Sequence, residues 1–188
     1  MNYTIPKSKE LRIAISGKSG CGNTTISALL AEKLKIRMIN YTFRSIAAET
    51  GLSLAEIIER AKTDDSFDER VDTRQVELAR EESCVLGSRL AIWMLCDADF
   101  KVYLLADDET RAKRIQNREG GDLQSILEFT RMRDNEDTQR YKRLYDIDNT
   151  DYSPSNLVID TVLYDPETIA ELILKNLCEV GLAESCHD

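Results

Sequence analysis

The stretch that decides the fold is Leu11-Arg12-Ile13-Ala14-Ile15-Ser16-Gly17-Lys18-Ser19-Gly20-Cys21-Gly22-Asn23-Thr24-Thr25. It opens as an apolar strand, Leu11 to Ile15, ending at Gly17. It continues as a helix from Thr24 to Leu34, with Ile26, Leu29, Leu30 and Leu34 on one face. Between them lies a glycine-rich turn. That placement suits a phosphate-binding loop: glycines let backbone N–H groups turn inward, and the helix N-terminus adds a positive dipole end. The full pattern is G-x-x-x-x-G-K-[ST]. Gly17, Gly22 and Thr24 match it, and the lysine position is Asn23.

That substitution removes a full positive charge normally aimed at the β and γ phosphates. Three readings stand. Lys18, the only lysine in the loop, takes over the role. Arginines elsewhere supply the charge. Or the loop holds nucleotide without efficient catalysis. Thr24 is the residue expected to place a hydroxyl on Mg²⁺.

Outward from the loop, short strands alternate with helices, the pattern of a parallel sheet flanked by helices. Strands are expected at 37–41, 84–86, 100–105 and 156–159. Ser53-Leu54-Ala55-Glu56 is a capping box and opens a short helix. Helices are also expected over about 67–82, from Asp107 or Asp108 to about Arg118, over about 122–144 after Gly120-Gly121, and from Asp165-Pro166 onward. The run Leu90 to Leu95 reads as core packing.

The chain has 188 residues with 25 Lys+Arg against 34 Asp+Glu, a net charge of −9. Such an acidic total argues against a nucleic acid polymer as partner. The excess is local. Residues 144–188 carry 1 basic and 10 acidic side chains, whereas 101–143 carry 10 and 9. A local basic pocket for a small anion is therefore compatible with the total. No apolar run approaches the ~18–20 residues of a membrane span, and residues 1–7 lack a signal-peptide core. The five cysteines are odd in number, with no close CxxC pair, so a reducing cytoplasm is expected and zinc is not. His187 is the only histidine, so a Ser-His or Cys-His mechanism is rejected.

Phosphoryl transfer needs positive charge around its oxygens. Arg44 follows Phe43 after the second strand, and Arg89 sits just past the third. Arg114 and Arg118 share one helix face, as do Arg133 and Arg140. Asp137 lies four after Arg133 and three before Arg140, so it can bridge them. The alternative for the helical arginines is surface pairing with Glu119, Asp134 or Asp137.

Loop, spacing and arginines together resemble the nucleoside-monophosphate kinases, most closely the short, archaeal-type cytidylate kinases, over about residues 11–176. The family's S-x-G-x-x-F-R segment is similar to Asn40-Tyr41-Thr42-Phe43-Arg44. Its M-S-L-E-E-F…D-x-x-x-D-x-R-Q is similar to Leu52-Ser53-Leu54-Ala55-Glu56-Ile57 followed by Asp68-Glu69-Arg70-Val71-Asp72-Thr73-Arg74-Gln75. Its E-G-R-L-x-x-W-M resembles Gly87-Ser88-Arg89-Leu90-Ala91-Ile92-Trp93-Met94. Its R-A-x-R-I-x-x-R-E matches Arg111 to Glu119, and its lid pattern resembles Arg133 to Tyr141 followed by Tyr145-Asp146-Ile147-Asp148.

The resemblance implies the P-loop kinase fold: α/β, a five-stranded parallel sheet of order 2-3-1-4-5 flanked by helices. It implies one domain over 1–188, core about 11–177, with mobile insertions at about 42–82 (the monophosphate segment) and about 119–143 (the lid). It implies that Gly17, Lys18, Ser19, Gly20, Cys21, Gly22, Asn23, Thr24 and Thr25 cradle ATP phosphates, with Arg114 and Arg118 on the ATP side. Arg44 and Arg89 would hold the acceptor monophosphate, with Asp72 and Arg74 in the same segment. Lys18, Arg133, Asp137 and Arg140 would act at the transferring group. The implied reaction is transfer from ATP-Mg²⁺ to CMP or dCMP in the cytoplasm, with no nucleic acid, membrane or obligate protein partner.

Two departures keep other readings open. Archaeal-type members typically have threonine at the lysine position, as against Asn23 here. The family's acidic residue two before the arginine is Gly87, and the glycine after it is Ser88. A catalytically weakened nucleotide-binding regulator, or a kinase of another small acceptor, are the alternatives. The tail from Cys178 to Asp188 lies beyond the resemblance and is expected to be partly disordered.

Overall fold

Five of the chain's strands form one parallel sheet, and the loop quoted above leaves its centre. The computed structural model describes residues 2–7 and 9–186, so His187 lies outside the described residues. The elements run β1 (Asn2–Thr4), β2 (Arg12–Ser16), α1 (Asn23–Leu34), β3 (Arg37–Ile39), α2 (Phe43–Thr50), α3 (Leu54–Ala61) and α4 (Ser66–Ala79). There follow β4 (Cys84–Gly87), α5 (Ala91–Met94), β5 (Phe100–Leu105), α6 (Asp108–Glu119), α7 (Leu123–Tyr145), β6 (Leu157–Asp160), α8 (Pro166–Glu179) and β7 (Glu184–Cys186).

The large sheet has order β3-β4-β2-β5-β6. Counted within that sheet alone, this is the order 2-3-1-4-5. All four of its pairings are parallel. Its three central strands, β2, β4 and β5, are buried on both faces, which is why they read as near-continuous apolar runs rather than as alternations. Ile13, Ile15, Val102 and Leu104 pack with Ile26 and Leu30 of α1 and with Ile169, Ile173 and Leu177 of α8. On the opposite face Ala14, Leu86 and Tyr103 meet Val76 and Ala79 of α4 and Ile92 and Leu95. The Leu90–Leu95 run is core, as expected, and it also winds into the short helix α5. A third, smaller cluster of Tyr41, Ile46 and Ile57 holds α2, α3 and α4 to one another.

Local signals decide most boundaries. Ser53 accepts from the Glu56 N–H while the Glu56 carboxylate accepts from the Ser53 N–H, so the capping box forms. Asp107, not Asp108, caps α6 by accepting from the Thr110 N–H. Asp165 caps α8, with Pro166 in its first turn.

The tail differs from the expectation. Helix α8 continues to Glu179, Ala183 is buried, and Glu184–Cys186 pairs antiparallel with Asn2–Thr4. Tyr3 donates its hydroxyl to Glu171 of α8 at 2.6 Å, which fixes the ribbon to the body. Two strands of three residues at opposite ends of the chain leave no local pattern to read. No helix among the described residues is long and apolar enough to cross a membrane.

Candidate functional site

A cleft of ≈ 1320 Å³ opens at the carboxyl edge of the central strands. Ligand sites of parallel α/β sheets form at this edge. The loop from Lys18 to Thr25 makes one wall. The turn after β3 and residues of α2–α4 make the second, and the turn after β4, α6, α7, the turn after β6 and the start of α8 make the rest.

The loop is built by backbone geometry. Gly20 and Gly22 have φ of +86° and +105°, the left-handed region that favours glycine. A Cβ at Gly20 would also lie 2.9 Å from the Arg111 carbonyl oxygen, so the loop rests directly on α6. No acidic residue stands in the first turn of α1, and Thr24 and Thr25 are exposed to the cleft. The orphan N–H groups of that turn and the positive helix end are left for an anion.

Asn23 does not imitate a lysine. Its Nδ2 donates to the Gly17 carbonyl at 2.6 Å, closing the loop on itself, while its Oδ1 is buried without a partner. The cation in the loop is Lys18, whose Nζ lies 3.5 Å from an Asp134 oxygen.

Arginines meet a single carboxylate across the cleft. Asp137 of α7, only 6 % exposed, takes Arg89 at 2.5 Å and Arg140 at 2.8 Å. It therefore bridges Arg89 and Arg140, not Arg133 and Arg140 as the spacing suggested. The reason is that Arg89 comes from another element, the turn after β4, which no helix periodicity reports. Arg140 also reaches Asp68 at 3.4 Å. Burial opposes the charge of Arg89, but Asp137 and Tyr141 outweigh it and raise its pKa above the ordinary value. Arg133 lines the cleft with no ion-pair partner among the described residues. Lost hydration and then the nearby Arg89 hold its pKa below the ordinary value.

The monophosphate-side residues are divided. Asp72 lines the cleft and accepts from the Tyr145 hydroxyl at 3.0 Å. Arg44 is exposed on α2 and is not part of the cleft wall. Arg74 pairs with Glu77 at 2.9 Å on a different surface of α4.

Burial pushes the Asp72 carboxyl up to about 6, with Asp68 adding to it. A carboxyl raised on folding destabilises the fold once ionised. The penalty is absent below the unfolded pKa, grows between about 4 and 6, and is complete above that. Asp72→Asn is thus expected to stabilise the ligand-free protein by about 1–3 kcal/mol at pH 7.5, an advantage that fades as the pH falls. Urea unfolding at pH 7.5 and 4.5 checks this; a pH-independent difference would contradict it.

Gly87 has a steric cause. A Cβ there would lie 2.2 Å from Ser27 Oγ and 3.0 Å from Ser27 Cβ, so α1 occupies the space a carboxylate side chain would need. Gly87→Asp is expected to cost about 1–3 kcal/mol by overpacking, and Ser27→Gly in the same chain should recover most of it. Urea midpoints of the two variants test this; a double variant no more stable than Gly87→Asp would refute it.

On the remaining wall, Arg114 donates to the Gly20 carbonyl at 3.2 Å and to Thr161 at 2.7 and 2.8 Å. It ties the loop to the turn after β6. Arg118 is exposed at the cleft rim and pairs with Glu119. Sequence reasoning gave no role to Arg111. It is wholly buried, donates to the Ser19 carbonyl at 3.1 Å, and pairs with Asp108 at 2.7 Å and Asp134 at 2.6 Å. Its signal was present: Arg111 and Asp108 are one turn apart on α6. Nothing in one sequence marks that turn as facing inward.

A metal held by protein side chains alone does not fit this cleft. Among the described residues no group of three or more His, Cys, Asp or Glu could hold one. The donor set would suit Mg²⁺ only as an ion carried in on a phosphate ligand, with the exposed Thr24 hydroxyl as an oxygen the cleft could offer it.

Comparisons with known proteins give the family and the fold. The cytidylate kinase-like family matches residues 12–162. Cytidylate kinase 2 of Borreliella burgdorferi is 44% identical over 167 residues, covering 87% of this chain and 93% of its own. Cytidylate kinase of Archaeoglobus fulgidus is 36% identical over 168 residues, covering 88% and 93%. Among solved structures, shikimate kinase from Bacteroides thetaiotaomicron superposes with a TM-score of 0.62 at 16% identity, covering 92% of this chain and 98% of its own. At that identity the likeness speaks for the fold.

Proposed function

The chain belongs to the cytidylate kinase-like family, and from that premise we propose how this cleft carries ATP-dependent phosphoryl transfer to CMP and dCMP. One observation carries the assignment of ends: Arg89, Arg133, Asp137 and Arg140 line the same cleft as the phosphate loop. The loop and α1 take the ATP phosphates, flanked by Arg114 and Arg118. Arg89, held by Asp137, takes the acceptor monophosphate beside Asp72. Arg133 and Arg140 meet the phosphoryl group between them.

An oxygen of the acceptor phosphate attacks the γ phosphorus in line. The bond to the bridging oxygen breaks, ADP leaves with that electron pair, and the acceptor becomes a diphosphate. No covalent enzyme intermediate is formed. The protein contributes position and positive charge. Mg²⁺ bound to ATP would be steadied by Thr24, and it supplies charge neutralisation to the phosphate oxygens. Segments 42–82 and 119–143 are the parts that close on the ligands and exclude water. The small Tyr41–Ile46–Ile57 cluster leaves α2 and α3 lightly anchored, whereas Val76 and Ala79 fix the end of α4 to the sheet. The cytoplasm supplies both nucleotides and the reducing conditions that suit free cysteines such as Cys21 and Cys84.

A coupled ADP-release assay with Mg²⁺ across CMP, dCMP, UMP and AMP tests the reading. Turnover on the cytidine nucleotides is the expected result. Nucleotide binding with no turnover on any acceptor would make the chain a regulator. Turnover on AMP but not CMP would make it a kinase of another acceptor.

A further inference from the structure

Five side chains of alternating charge run from the protein surface to the phosphate loop. Arg131 of α7 reaches Asp108 at 2.9 Å, and Asp108 takes Arg111 at 2.7 Å. Arg111 gives the same nitrogen to Asp134 at 2.6 Å, and Asp134 lies 3.5 Å from Lys18. The Arg111 side chain is 0% exposed, Asp134 12% and Lys18 41%. Lys18 lines the cleft, whereas Asp134 stands behind the wall. The series is buried at its centre and open at both ends, Arg131 (57% exposed) at the surface and Lys18 at the cleft.

From this geometry we infer that Asp134 is a positioning residue that holds Lys18 at the phosphate site, in place of the lysine missing at position 23. The inference deepens the kinase reading and rests on it. Its logic is electrostatic. An aspartate beside a lone lysine would cancel the charge that the phosphates need. Here Asp134 is already paired with Arg111, and the series holds three cations against two anions. Asp134 therefore does not neutralise Lys18 outright, and Lys18 is the member of the series that lines the cleft. The Asp134 carboxylate restricts a flexible four-carbon chain that would otherwise sample many rotamers. Because Asp134 belongs to α7 and Lys18 to the loop, the contact also sets the lysine only when α7 lies against the loop. Arg111 holds that arrangement through the Ser19 carbonyl.

A double-mutant cycle of Lys18→Ala and Asp134→Asn on the full chain tests this. Two readouts are taken: kcat at saturating CMP, and affinity for the non-hydrolysable analogue AMP-PNP with Mg²⁺ by calorimetry. Asp134→Asn alone is expected to lower kcat by about ten- to a hundredfold, with the KM for CMP within about twofold. In the Lys18→Ala background it should change kcat by less than about twofold, because the group it positions is gone. An equal factor in both backgrounds would show a merely structural role and overturn the inference. So would an unchanged kcat in the wild-type background. If Asp134→Asn does not fold, Asp134→Glu enters the same cycle. It keeps a carboxylate for Arg111 but displaces it by one methylene, and the same non-additivity is required. If the wild-type chain does not phosphorylate CMP, the kinase reading fails, and the AMP-PNP cycle alone decides on Asp134. Coupling there supports it, and additivity overturns it.

Discussion

Arg89→Ala is expected to raise the KM for CMP roughly 30- to 1,000-fold while the KM for ATP changes less than about threefold. The range corresponds to the 2–4 kcal/mol lost when one member of a desolvated charge pair is truncated. The asymmetry follows from place. Arg89 leaves the end of β4, and its partner Asp137 of α7 shares Arg140 with Asp68 of α4, in the segment proposed for the acceptor. In the free protein Asp137 occupies one edge of the guanidinium fork. Tyr141 takes a further hydrogen bond, and the donors that remain are those an acceptor phosphate would meet. Arg89→Lys is not a conservative control, since a point charge cannot hold Asp137 and a phosphate in that geometry. It should recover only part of the loss. The variant also leaves the buried Asp137 with Arg140 alone, so a lower melting temperature is expected beside the kinetic effect. Initial-rate measurements varying each substrate in turn decide the matter. Equal changes in both KM values would show that Arg89 serves the fold of the cleft rather than the acceptor.

The parallel sheet was legible because its central strands are buried on both faces and each strand is followed by helix punctuation. Residues 100–105 were read as a strand with the boundaries they have, since the apolar run is flanked by acidic residues on both sides. The edge strand β3 is shorter than the expected 37–41: its ladder with β4 covers only Arg37 to Ile39. Tyr41 instead turns inward and its carbonyl accepts from Gln75 at 2.7 Å. The β1–β7 ribbon could not be read, because pairing between chain ends is fixed by where α8 happens to deliver the chain.

The loop was equally legible, since its glycines and flanking elements lie within one local stretch. What the sequence could not convey was partnership across elements. Periodicity placed Asp137 between Arg133 and Arg140, but the third dimension brought Arg89 instead. Arg44 and Arg74 looked like site residues by motif, yet neither lines the cleft, Arg44 standing exposed and Arg74 pairing with Glu77. The absent carboxylate at Gly87 looked like a loss of function. In the structure it is half of a steric match with Ser27.

Lys18→Ala is the second large effect expected, a fall in kcat of about 10²-fold, the scale for removing one preorganised charge aimed at a transition state. Of the three readings left open by Asn23, the geometry favours the first, in which Lys18 takes over. The Asn23 amide is committed to the Gly17 carbonyl, so Asn23 stabilises the loop's shape. The remaining cations divide by position. Arg114 is engaged with Gly20 and Thr161, and Arg118 with Glu119 at the rim. Lys18 is the cation that belongs to the loop and keeps a cleft-facing amine. If it acts mainly in the transition state, ATP affinity should fall much less than kcat. Lys18→Arg, longer and forked, should recover part of the rate by keeping charge near Asp134. The contrast with Asn23→Ala separates the two roles. That variant loses a bond closing the loop, so its first effect should be on thermal stability, with turnover following only as the loop loosens. Stopped-flow turnover, calorimetric ATP binding and thermal unfolding of the three variants together give the answer. Unchanged turnover and ATP affinity in Lys18→Ala would assign the missing charge to the arginines instead, with Arg133, unpaired and facing the cleft, as the first to test.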